Sequence, residues 1–190
     1  MKPSKEKNKV WIRTKAQLTE AEEKQRNFSF HYVKDLLKKM GYNITIQLDS
    51  RHRRILIDEK KGKPLKMNEM LIDKIAEKTN ILSGKWLIFV QRDETDQLWK
   101  KIEKLANKGK IWSAKISTSR HPLASKGTHV ICVYTKDYTD NSEVMKVRES
   151  LKRIGIENEL FYKPDIYTLL GIYSDNKKRF DLNRVSRYIS

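Results

Sequence analysis

Apolar positions recur along this chain at two spacings, and the switch between them outlines its elements. Phe28, Tyr32, Val33, Leu36, Leu37 and Met40 fall three and four apart, which predicts one helical stripe ended by Gly41. Ile44, Ile46 and Leu48 then alternate with polar residues over 42–48, as in a half-buried strand. Asp49-Ser50-Arg51-His52 has turn chemistry, and 53–58 returns as the second arm of a hairpin. Residues 60–64 read as a loop, and Met67, Met70, Leu71 and Ile75 place a second helix over 67–79. The first part thus predicts helix, hairpin, helix. Ahead of it come a lysine-rich start over 1–9 and a short apolar patch, Val10-Trp11-Ile12, expected to be an edge strand or docking segment. A very polar stretch over 16–27 is expected to be a linker or a solvated helix.

The later part alternates strands with helices. Trp86–Val90 is a strongly apolar strand. Leu98, Trp99, Ile102 and Leu105 form the buried side of a helix, with Asp93 or Thr95 as its cap and Gly109 as its stop. Over 110–118, Trp112, Ala114 and Ile116 face one way and Ser113, Lys115 and Ser117 the other. A loop over 119–127 leads into the strand His129–Thr135. Asp140 and Glu143 have capping-box spacing for a helix starting near Ser142, with Val144, Val147, Leu151 and Ile154 inward and Gly155 ending it. Strands are expected at 159–163 and 167–173. The connections before residues 110, 129 and 167 are too short for crossovers throughout, so the predicted class is α+β: a mixed or mostly antiparallel sheet backed by helices. The expected division is a basic helix–hairpin–helix part over 1–82, separate from or continuous with the fold, and an α+β domain over 83–190.

Charge changes this picture most. The net charge is +17, which favours polyanionic partners, although a lysine-rich surface also serves solubility. Residues 1–82 carry 20 Lys/Arg against 11 Asp/Glu and the remainder 21 against 13, so the excess is not an arm at one end. Cys132 is the one cysteine, which excludes a disulfide framework and a thiolate metal site. No run reaches the roughly 20 apolar residues of a membrane span, and the start has no apolar signal core. A cytoplasmic protein without membrane contact, cofactor or metal is the expectation. No Walker loop, dinucleotide fingerprint, zinc spacing or nucleophile elbow is present.

Several ordered segments carry a resemblance: Gly84-Lys85-Trp86-Leu87-Ile88-Phe89, Trp112–Thr118, His129–Thr135 and Tyr162–Tyr173. Together, over about 83–175, they resemble the basophilic-leukaemia-expressed (Bles) family, whose members are often labelled phosphothreonine lyase domain proteins. The resemblance implies a fold like that of the cap-binding translation initiation factor 4E, a curved antiparallel sheet backed by helices. It implies no established catalytic residue, and the first 80 residues do not contribute to it.

Candidate chemistry lies in the polar interruptions. Lys115, mid-strand and opposite the apolar face, can hold a phosphate as a point charge or, with a lowered pKa, act as a base; a simply wet face is the other reading. Lys163 precedes Pro164, which holds it extended, and has Phe161 and Tyr162 beside it, a setting for a base-plus-phosphate ligand. Tyr162 or Tyr167 would stack or offer a hydroxyl. Arg120 and His121 occupy a loop next to Ser117, Thr118 and Ser119, whose hydroxyls suit phosphate oxygens. His129 opens an apolar strand and reads first as structural. Arg148 and Arg153 read as solvent-facing, or Arg148 as lying along a sheet edge. Trp86, Trp99 and Trp112 read as core, Cys132 as packing, and Trp11 as the freest tryptophan. Arg51, Arg53 and Arg54, with His52, form a basic hairpin tip suited to nucleic acid.

The leading expectation is a binding module for a phosphorylated ligand, RNA or a nucleotide, on the polar face of the sheet. A second is an enzyme eliminating phosphate from phosphothreonine, with Lys115 or Lys163 as base, His121 or His129 as acid and Arg120 as clamp. A third is a scaffold binding polyanions through its N-terminal part.

Overall fold

A computed structural model describes residues 2–14, 27–177 and 180–190, so the polar stretch expected as linker or helix lies, apart from Asn27, outside the described residues. In chain order the elements are β1 (Trp11–Arg13), α1 (Phe30–Lys39), β2 (Ile44–Leu48), β3 (Arg54–Asp58), β4 (Lys63–Pro64), α2 (Glu69–Thr79) and β5 (Gly84–Gln91). There follow α3 (Arg92–Asn107), β6 (Ser113–Ser117), β7 (Thr128–Thr135), α4 (Asn141–Lys152), β8 (Phe161–Pro164), α5 (Asp165–Leu169) and β9 (Tyr188–Ile189). Two compact units result, one of Met1–Leu18, Ser83–Lys163 and Tyr188–Ser190, the other of Thr19–Leu82 and Pro164–Arg187. The chain therefore passes between the units four times, one of them near residue 82. The N-terminal segment joins the first unit because β1 pairs with β6, and 164–187 join the second.

The first unit is built on a six-stranded sheet in the order β1-β6-β7-β5-β8-β9. Neighbours β1/β6, β6/β7, β7/β5 and β8/β9 are antiparallel. Its longest pairing is β5 with β7, from Gly84 opposite Thr135 to Gln91 opposite Thr128. Strand alternation sends Trp86, Ile88 and Val90, with Ile131 and Val133, to one face, and Lys85, Leu87 and Phe89, with Val130, Cys132 and Tyr134, to the other. On the first face Trp86 is fully buried. Its indole N–H donates to the Val144 carbonyl of α4 at 3.1 Å, and its ring meets Tyr162 edge-on at 5.2 Å. The Tyr162 hydroxyl bonds that of Thr135. It also fills the space where a side chain at residue 84 would begin, so only glycine fits there. Trp99 and Ile102 of α3 and Val144 and Leu151 of α4 are fully buried, each such side chain contributing about 1.5–3 kcal/mol by leaving water.

Several local expectations are corrected. Residues 167–173 do not form a strand. Pro164 ends β8 with φ −58 and ψ 143 and caps α5, whose chain then turns at Gly171 with positive φ. At α3 the cap is Gln91 without a side-chain bond, and the Thr95 hydroxyl instead donates back to the Gln91 carbonyl at 2.7 Å. Arg148 is not solvent-facing but fully buried. Its guanidinium donates to the carbonyls of Ile156 at 2.6 Å, Asn158 at 2.8 Å and Ser190 at 3.1 Å. One cation thus ties α4 to the segment leading into β8 and to β9's end. The capping pair at α4 also works differently from the reciprocal box. Asp140 accepts from the Glu143 N–H at 3.1 Å, but the Glu143 carboxylate reaches the N–H groups of Lys136 and Asp137.

The second unit holds a three-stranded antiparallel sheet, β2-β3-β4, with Ile44 opposite Asp58 and Leu48 opposite Arg54. The short β4 lies where a loop was expected. Ser29 caps α1 and Asn68 caps α2 through their side chains. Val33 and Leu37 of α1 and Ile72 and Ile75 of α2 are fully buried; Met70, expected inward, is 67% exposed, and Ile72 is buried instead.

Because Arg148 satisfies several buried carbonyls at once, Arg148→Ala is expected to lower the unfolding free energy by about 3 kcal/mol. Urea denaturation measures this, and an unchanged midpoint would contradict the role.

Candidate anion-binding face

On the face turned away from Trp86, the strands set cations and aromatic rings in a row. Register places Ser113, Tyr134 and Lys85 side by side across β6, β7 and β5, and Arg13, Lys115, Cys132 and Leu87 side by side in the next rank. The Lys115 ammonium lies 4.4 Å from the Trp11 ring centroid and 5.7 Å from that of Tyr134. The Lys85 ammonium lies 5.8 Å from the same Tyr134 ring. Trp11, Lys115, Tyr134 and Lys85 therefore alternate across four strands, with each cation–ring contact contributing about 0.5–2 kcal/mol. The lysine stems and rings rest on a small apolar cluster, Val130, Cys132 and Tyr134, packed by Trp11, Leu87, Trp112 and Leu123. Trp11 and Lys115 are half-buried, Arg13 is exposed, and Phe89, on this face by alternation, is 59% exposed.

The margin of this face is made by the segment after β6. Thr118 and Ser119 hydroxyls donate to the carbonyls of Lys9 and Glu6, and the Arg120 guanidinium donates to that of Asn8 at 3.1 Å. These bonds fasten the N-terminal segment beside β6 and hold Trp11 in place. His121 meets the Trp11 ring edge-on at 5.0 Å, and its Nδ1 accepts the Leu123 N–H at 3.2 Å, capping the 3-10 turn Pro122–Lys126. Burial, then the nearby His129 and Lys115 charges, hold the His121 pKa below its ordinary value. His129 is fully enclosed; its Nδ1–H donates to the Ser117 carbonyl at 2.9 Å, and its Nε2 has no partner among the described residues. The Ser117 hydroxyl accepts the Val130 N–H at 2.9 Å.

Of the residues singled out in the sequence, Lys115 and His121 meet at Trp11, and Arg120 binds the Asn8 carbonyl of the N-terminal segment. Lys163 falls on the same face by alternation with Tyr162, and is 8% exposed. Tyr162 itself points the other way, into the Trp86 core, so it does not face a ligand beside Lys163. Tyr167 belongs to the second unit, where it is fully buried and its phenol is pushed up to about 12, chiefly by that burial. The basic hairpin also lies in the second unit, and two of its arginines have carboxylate partners. Arg51 pairs with Asp175, and Arg53 pairs with Asp49 at 2.9 Å and lies 5.7 Å from the Tyr173 ring. The hydrogen bond from the Arg53 backbone N–H, offset in part by burial, leads the causes that hold the Asp49 carboxyl well below its ordinary pKa. Arg54 is exposed. Sequence reasoning missed Arg13, Lys85, Tyr134 and Phe89. The alternation Lys85-Trp86-Leu87-Ile88-Phe89 held the signal for two of them, while Arg13 and Tyr134 need the strand order to reach Lys115.

The family model described as Basophilic leukemia-expressed protein Bles03 matches residues 4–171, and the chain belongs to that family. The match starts at residue 4, so the first 80 residues belong to it as well. Similar solved structures include Caenorhabditis elegans eIF4E-3 in complex with the 4E-binding protein Mextli, at 16% identity over 95% of this chain and 94% of that one, with a TM-score of 0.39. Schistosome eIF4E complexed with m7GpppG and 4E-BP is 14% identical over 83% and 81% of the two chains, with a TM-score of 0.42. Ascaris suum eIF4E-3 with m2,2,7G cap is 14% identical over 94% and 93%, with a TM-score of 0.39. Those ligands and partners belong to those proteins.

The lowered His121 pKa has a sign that can be measured. Its neutral form is favoured in the fold, so its contribution to stability is present above the ordinary value of 6.5 and is lost as pH falls through the folded value. An NMR titration of the imidazole is expected to give a midpoint below 6.5, moving upward in Lys115→Gln. A midpoint at or above 6.5, or no response to the substitution, would contradict the geometry.

Proposed function

We propose that this member of the Bles03 family is a binding module for a phosphorylated, ring-bearing ligand, a nucleotide or single-stranded RNA, held on the Lys115 face of its six-stranded sheet. The observation that carries the reading is the Lys115 ammonium, 4.4 Å from the Trp11 ring and directly across the β1–β6 pair from Arg13. Like charges placed opposite each other in a sheet are unfavourable, and they concentrate positive potential where phosphate oxygens would come. Trp11 and the exposed Phe89 give a base a flat surface on which to stack, a contact that does not depend on base identity. Arg120, exposed at the margin, lengthens the cationic track. The net charge of +17 speeds encounter with a polyanion and makes binding salt-sensitive.

The elimination chemistry weighed from the sequence would need a histidine able to give a proton at this face. His129 is enclosed, and burial holds the His121 pKa below its ordinary value, which disfavours the charged imidazolium such a donor needs, so binding is the reading the geometry favours. The hairpin is likewise secondary, since Arg51 and Arg53 already hold carboxylates of their own unit.

Fluorescence anisotropy with a labelled single-stranded RNA, competed by a nucleoside triphosphate, tests the proposal. Lys115→Ala is expected to weaken binding about tenfold and to flatten the slope of log K against log salt by about 1. Trp11→Ala should cost about 1–3 kcal/mol of binding with the salt slope kept. Unchanged affinity and slope in Lys115→Ala would overturn the reading.

A further inference from the structure

On another part of the first unit, two adjoining cavities of about 530 and 560 Å3 run along α4. They share Gly109, Lys110 and Lys146, so they form one groove between the α3–β6 turn and the outer stripe of α4. That stripe is Ser142, Met145, Lys146, Glu149, Ser150 and Arg153, at the three- and four-residue spacing of one helix face. Twelve residues of helix make the groove roughly 18 Å long. This is longer than a single phosphate or a nucleotide needs. Its inner end has an apolar floor from Ala106, Ile111 and Val147.

The groove's charge is one-sided once its internal bonds are considered. The Glu143 carboxylate is taken by the N–H groups of Lys136 and Asp137, and Glu149 is paired with Lys152 at 2.9 Å. Lys110, Lys136, Lys146 and Arg153 are exposed along the walls. Among the described residues, no hydrogen bond or salt bridge engages the ammonium of Lys110, Lys136 or Lys146. We propose that this groove docks an acidic, amphipathic segment of a partner protein, with its carboxylates on Lys110, Lys136 and Lys146 and its apolar side chains on Ile111, Val147 and Met145. Methionine suits such a contact because it adapts to varied side chains. A nucleic acid backbone fits less well, because it has no apolar side chains to set against the floor of Ala106, Ile111 and Val147. The one ring there, Trp112, is half-buried and packed on the Val130, Cys132 and Tyr134 cluster rather than offered for stacking.

The test uses the full chain and a fluorescein-labelled peptide alternating glutamate pairs with leucine, followed by anisotropy. The triple variant Lys110→Glu, Lys136→Glu, Lys146→Glu is compared with Lys60→Glu, Lys63→Glu, Lys66→Glu, which makes the same charge change at exposed positions of the second unit. The expected result is saturable peptide binding that falls at least about tenfold in the groove variant and by less than about twofold in the control. Binding of single-stranded RNA should change no more in the groove variant than in the control, which separates this groove from the sheet face. Equal losses of peptide binding in the two variants, no saturable binding by the native chain, or a selective loss of RNA binding in the groove variant would overturn the proposal.

Discussion

Eight consecutive residue pairs between β5 and β7 determine which way each side chain of the sheet points. Because strand alternation has a period of two, a slip of one residue would bring Lys85 into the Trp86 core and turn Trp86 onto the lysine face. The register is held where that error would be most costly. Gly84 has no room for a side chain beside the Tyr162 hydroxyl, and the Trp86 indole is bonded to the Val144 carbonyl. The buried Arg148 then ties the chain after α4, and the end of β9, to the same core. The polar face is therefore a consequence of the apolar one.

That face carries its charge on a rigid base. Lysine is a flexible side chain, and a lysine in water would lose much rotamer entropy on holding a ligand. Lys115 gives up part of that freedom already, between Trp11 and Tyr134. Trp11 in turn depends on the bonds that Thr118, Ser119 and Arg120 make to the N-terminal segment. The groove along α4 is a separate surface with a different character: exposed, long and partly apolar.

The period-two and period-3.6 patterns made most elements legible, including the apolar strand at Trp86, the helix stripe at Trp99 and Ile102, and the helix opened by Asp140. What they could not provide was pairing. Trp11 stood out as the freest tryptophan, and Lys115 as a lysine on an alternating face. That the two meet depends on β1 crossing to β6 from the other end of the sequence. Arg148 misled because an arginine usually faces water, although its spacing from Val144 and Leu151 puts it on the inner stripe; here the backbone carbonyls at 156, 158 and 190 converge on it. Tyr167–Tyr173 has the composition of a strand, but the fixed φ of Pro164 followed by Asp165 starts a helical turn instead. Tyr162 was drawn toward Lys163 by sequence adjacency, yet in a strand adjacent residues face opposite sides.

The central claim is that a phosphorylated ligand meets Trp11 and Lys115 on one face while the core stays untouched. The four tryptophan indole N–H resonances report this directly in a proton–nitrogen correlation spectrum, titrated with a short single-stranded RNA at low and raised salt. The account predicts that the Trp11 signal moves with saturation, that the shift shrinks as salt rises, and that Trp86 and Trp99 stay fixed. A Trp11 signal that does not respond to RNA while the protein binds it would contradict the account.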